Sequence, residues 1–185
     1  MVQRHMEEIR CAVDTIYHCL THFQRIDHLT RSAMLDAGYT DWQIDAQLNK
    51  PGSKFHASFA QSPMQVVEKL ENECPDVLND LPEPDVAGRV RLSFELGYET
   101  GTDGVVALSS LTPEELLTIR EEERNGCIIR KVRLSRTLPT NECQLVLQKE
   151  DQGYSIITLF PGVMAPPLPR NGASDPFWDN HCFIE

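Results

Sequence analysis

Near the start of the chain, apolar residues recur at helical spacing. In EEIRCAVDTIYHCLTHF, Ile9, Val13, Ile16, Leu20 and Phe23 fall three or four positions apart, which predicts one amphipathic helix. Gly38 in DAGY supplies a stop, and TDWQ reads as a capping box that opens a short helix carrying Trp42, Ile44 and Leu48. SPMQVVEKL begins another helix, with Ser62 as cap and Pro63 in the first turn, ending before Pro75.

The segment NDLPEPDVAG, with Pro82, Pro84 and Gly88, breaks this pattern, and after it the apolar period becomes two. RVRLSFEL alternates Val90, Leu92, Phe94 and Leu96 with polar neighbours, as a half-buried strand does. GVVAL reads as a second strand. LTPEELLTIREEERNG predicts a helix, with Thr112 as cap, Pro113 in the first turn, Glu115 closing the box and Gly126 as the stop. CIIRKVRL, CQLVLQ and YSIITLF then predict a three-stranded antiparallel meander, the last two strands joined through KEDQG. The expected fold is α+β: N-terminal helices (1–80) packed with a mainly antiparallel sheet of order β-β-α-β-β-β (85–185). A proline-rich strap ends it, in which Pro161 and Gly162 stop the last strand and SDPFW opens a short helical turn. That strap is expected to carry Trp178, His181 and Phe183 back over the sheet.

A chain of 185 residues, 41% hydrophobic and 24% charged, is long enough to bury a core without cross-links. No apolar run is long enough to span a bilayer, and MVQRHMEEIR lacks the apolar centre of a signal peptide, so a cytoplasmic chain is expected. The six scattered cysteines form no CxxC pair and are expected to be free and mostly buried. Phosphate-loop, dinucleotide, zinc-protease and serine-hydrolase signatures are lacking.

The net charge of −11 is shared by both halves and weighs against non-specific nucleic-acid binding. Against it, Arg124, Arg130, Lys131, Arg133 and Arg136 cluster within thirteen residues. Arg130, Lys131, Arg133 and Arg136 are expected either to pair with Glu121, Glu122 and Glu123 on the preceding helix or, with Arg124, to form a local basic patch. Along one strand, Arg130 and Arg136 share a face with Val132 and Leu134, while Lys131 and Arg133 point the other way.

Around the first helix, Glu7, Cys11, Asp14, His18, His22 and Arg25 lie opposite the apolar stripe. His18 and His22, one turn apart, would suit a metal if His28 or His56 joined them; a solvated face is the simpler reading. LTRSAMLDAGYTDWQIDAQL has the outline of a helix-turn-helix, but Asp41 and Asp45 would repel phosphates, which favours a plain helical hairpin.

A helix followed by a meander, with a basic strand and the last strand YSIITLFPG, resembles the ribonuclease superfamily that includes barnase, EndoU, certain colicins and RelE. The resemblance spans residues 85–162. It implies a compact RNA-cutting fold of the bacterial toxin type, in which Thr158 sets a hydroxyl in the cleft. Such cleavage uses the RNA 2′-hydroxyl as nucleophile and requires neither metal nor cofactor. It needs proton-transfer groups, for which His181 and His56 are candidates, and cations on the phosphate, for which Arg130, Lys131, Arg133 and Arg136 are candidates. Trp178 would wall the pocket. The acidic composition keeps two further readings open: a non-catalytic immunity-like partner for a basic protein, and a toxin-like sheet capped by its own acidic helices. Deleting residues 1–84 would activate the second.

Overall fold

The computed structural model describes residues 8–170 and 173–185. Its class is α+β, with helices over a set of mixed, mainly antiparallel sheets. Glu7 lies outside the described residues. The expected first helix is divided: Ile9–Arg10 is a strand (β1), Val13–Cys19 a helix (α1) and Leu20–His22 a 3-10 turn. Ile9 leaves the helical stripe to pair in parallel with a later strand, whereas Leu20 and Phe23 are fully buried as expected. His28–Asp36 (α2) and Asp41–Leu48 (α3) form the helical hairpin, and the Thr40–Gln43 capping box is present in full. Lys54–Phe55 (β2), Pro63–Glu73 (α4, capped by Ser62) and Pro75–Asn79 (α5) follow.

Arg89–Glu95 (β3) alternates exposed and buried residues along its whole length. Gly101–Thr102 (β4) and Val105–Ala107 (β5) come next, then Leu116–Arg124 (β6). The helix expected over residues 112–126 is therefore a strand. Its capping bonds form, since Thr112 and Glu115 exchange side-chain and backbone hydrogen bonds, but they close a turn that no helix continues. What decides the segment is its end. Asn125 (φ 52°) and Gly126 (φ 80°) both adopt left-handed backbone, the geometry of a two-residue hairpin turn. They fold β6 back on Cys127–Leu134 (β7), with Arg124 opposite Cys127.

Pro139–Thr140 (β8), Glu142–Lys149 (β9) and Tyr154–Pro161 (β10) complete the central strands. The expected β9–β10 hairpin is present, but β7 does not continue it into a meander. One sheet has the order β1-β10-β9-β3, another β5-β11-β7-β6, and a small one β2-β4-β8. Here β11, His181–Ile184, is a strand that periodicity did not disclose; it follows Pro176–Asn180 (α6), which Asp175 caps. The strap returns to the sheet, but as one of its strands instead of a cover over it: β11 lies between β5 and β7.

The main core joins Leu20, Phe23, Met34, Ile44, Val66 and Leu70 from the helices to Val90, Leu92, Leu145, Leu147, Ile156 and Leu159 from the first sheet. Residues on both sides of the 80–85 segment thus share one core. Val106, Val132 and Cys182 form a smaller one within the second sheet. All six cysteines are free, and four are buried. Among the described residues, no helix is long and apolar enough to cross a membrane.

Candidate active site

Thr158 owes its position to an irregularity in β10. Tyr154 and Ile156 face the helical core, so an unbroken strand would turn Thr158 inward as well. Instead the register with β9 slips between Ile156 and Thr158, leaving Ile157 unpaired. This bulge sets Thr158 beside Val146 and Phe160 beside Gln144, and returns Leu159 to the core. Beyond the bulge, Pro161 and Gly162 end the strand. Gly162 has φ +95°, and a Cβ there would lie 2.0 Å from Asp103 Oδ1, so the turn requires glycine.

Thr158 and Phe160 line a cleft of about 450 Å³ shared with His22, Ser53, Asp103, Arg124, Lys131, Phe183 and Glu185. The 3-10 turn that ends α1 swings His22 inward. Its ring lies 5.6 Å from that of Phe160, and its Nδ1 is 3.1 Å from both the carbonyl oxygen and the hydroxyl of Ser53. A carbonyl only accepts, so Nδ1 carries the proton and Nε2 keeps its lone pair. Burial lowers the His22 pKa to about 4; the Ser53 carbonyl opposes this and the Lys54 charge adds to it. The ring is therefore a neutral base at ordinary pH. Lys54 anchors the same corner, donating to the Thr21 and Leu48 carbonyls at 2.7 Å each.

On the opposite wall, Glu122 joins the two cleft cations, 3.0 Å from Lys131 Nζ and 3.3 Å from Arg124. The Lys131 hydrogen bond leads in holding the Glu122 carboxyl below its usual range. The Arg124 guanidinium also lies 5.8 Å from the Phe183 ring centre. Asp103 accepts the Val163 amide at 3.1 Å, and burial raises its carboxyl above the ordinary range. The Thr158 hydroxyl hydrogen-bonds Cys19, whose thiol burial pushes up to about 11.

The expected site residues divide among several places. Thr158 and Lys131 share the cleft just described. Arg130, Trp178 and His181 lie together in a second depression. There Arg130 caps α6 by donating to the Trp178 and Asp179 carbonyls, and His181 stacks on Phe177 at 3.7 Å between ring centres. Trp178 stacks on Phe183 and donates to the Pro166 carbonyl, which fixes the strap. His56 sits apart, between Gln24 and Glu99. Arg136 pairs with Glu115 at 3.0 Å, and Arg133 is exposed at the sheet surface. Of the expected pairings with Glu121, Glu122 and Glu123, that of Lys131 with Glu122 forms, on a strand rather than a helix.

His18 and His22 do not share a face. The α-helix ends at Cys19, and the tighter turn after it breaks the four-residue register, leaving His18 exposed and His22 turned inward. Sequence reasoning thus set His22 on a polar face. Its one local sign of burial was its place between the core residues Leu20 and Phe23. Ser53 carried none.

No family model matches the sequence, and no curated protein or solved structure matches it either.

Proposed function

We propose that the chain is a metal-independent endoribonuclease of the bacterial toxin type, acting in the cleft lined by His22, Asp103, Lys131 and Thr158. The observation that carries this reading is the β10 bulge, which turns Thr158 out of the core to share a cleft with a neutral histidine and two cations. His22 Nε2 accepts the proton of an RNA 2′-hydroxyl, and the freed oxygen attacks the adjacent phosphorus. Lys131, Arg124 and the Thr158 hydroxyl stabilise the charge that develops on the phosphoryl oxygens. The bond from phosphorus to the 5′ oxygen breaks, and the proton taken up by His22 is returned to that oxygen. The products are a 2′,3′-cyclic phosphate and a 5′-hydroxyl end.

The test is incubation of the full chain with total RNA and tRNA, with and without EDTA, beside Thr158→Ala, His22→Gln and His181→Ala. The expected result is defined fragments bearing cyclic phosphates that survive EDTA. Their rate falls by about 100-fold in the first two variants and stays near the parent value in the third. RNA left intact by the parent chain would overturn the proposal. The acidic surface would then favour the non-catalytic reading, a module that binds a basic protein.

A further inference from the structure

The β6 edge of the second sheet is open. β6 is nine residues long, lies outermost in the order β5-β11-β7-β6, and is exposed along nearly its whole length. Natural edges of this kind are usually shortened, bulged or guarded by lysine or proline. Here the irregularity lies at Leu117, near the start, and residues 118–124 run in unbroken register with β7.

The two sides of β6 differ in charge. On one side Arg120 pairs with Glu185, while Glu122 pairs with Lys131 and Arg124, so those charges are satisfied toward the cleft. On the other side Ile119, Glu121 and Glu123 alternate. Glu121 faces Arg130, whose guanidinium is committed to α6 carbonyls, and Glu123 faces Ile128. Neither Glu121 nor Glu123 makes an ion pair with the described residues. Ile119 and Ile128 remain 49% and 63% exposed beside them. Unpaired backbone, unpaired carboxylates and bare apolar side chains therefore coincide on one edge.

We infer that β6 is a docking edge for a strand of a partner protein that carries lysine or arginine together with apolar residues on one face, at every second position. Main-chain bonds would extend the sheet, and on the shared face basic side chains would meet Glu121 and Glu123 while an apolar one covers Ile119. A second copy fits less well, because antiparallel self-pairing centred on the acidic run sets carboxylates opposite one another. The inference does not depend on the chemistry of the cleft.

The probe is a nine-residue peptide whose odd positions carry lysine and valine and whose even positions carry threonine, compared with the same peptide bearing a proline at its centre. Amide hydrogen exchange of the full chain is followed during titration. The expected result is saturable protection confined to β6. It should weaken by about tenfold in a Glu121→Lys/Glu123→Lys chain, in which both substitutions are exposed, and be lost with the proline peptide. Four outcomes would overturn the inference: no binding at millimolar peptide, protection spread over the acidic surface, equal binding to the charge-reversed chain, or dimerisation of the parent chain through β6.

Discussion

At the scale of single residues, the balance between a buried ring and its proton gives the sharpest test. His22 titrates near 6.5 in an unfolded chain and near 4 in the folded one, chiefly because burial disfavours the imidazolium. Between those values the unfolded chain binds a proton that the folded chain refuses. Stability from this group is therefore complete above pH 6.5 and is lost as pH falls toward 4, by roughly 3 kcal/mol in all. His22→Gln lacks that loss, so urea unfolding should show the stability of the variant falling by roughly 3 kcal/mol less than that of the parent between pH 7 and pH 4. Parallel pH profiles would mean that the ring is solvated. Thr158 was legible in the sequence because it belongs to a strand with a recognisable ending. His22 was not, because a helix wheel assumes an unbroken helix and cannot register a change to 3-10 geometry at Leu20.

At the scale of elements, the strands that share a core face were read correctly wherever their alternation was regular, as in Val90, Leu92 and Phe94. The strand β6 was not, because LTIREEER alternates poorly and its capping signals are genuine. The left-handed Asn125-Gly126 pair overrode them, since a hairpin with β7 satisfies a whole ladder where the cap satisfies one turn. The β10 bulge was equally hidden, being a property of pairing rather than of composition. A close approach of strands supports the corner that holds His22 and Ser53. A Cβ on Gly101 would lie 2.1 Å from the Lys54 carbonyl oxygen, on backbone that pairs directly with β4. Gly101→Ala should therefore cost about 3 kcal/mol in denaturant unfolding. It should also loosen Lys54, whose ammonium holds the Thr21 carbonyl next to His22. A cost near zero would show that β2 and β4 shift apart freely and that the corner is not braced there.

For the whole molecule, two facts constrain how substrate could be held. The helices share the main core with the first sheet and bring His22 and Ser53 to the cleft, so removing residues 1–84 strips the core of Leu20, Phe23 and Val66 instead of uncovering a finished site. The chain also carries a net charge of −11, with Arg124 and Lys131 the cations at the cleft among the described residues. An acidic body offers little long-range attraction to RNA, so binding must come from local contacts. Each neutralised phosphate on a single strand contributes about −0.7 to the slope of log affinity against log salt, so two cations give about −1.4. Fluorescence anisotropy with a 2′-deoxy oligonucleotide, which cannot be cleaved by this chemistry, measures that slope directly between low and moderate salt. Lys131→Gln should halve it, whereas Arg133→Gln, outside the cleft, should leave it unchanged. A slope several times steeper, or one that follows Arg133 rather than Lys131, would place the nucleic acid on the outer sheet surface and remove the cleft from consideration as its site.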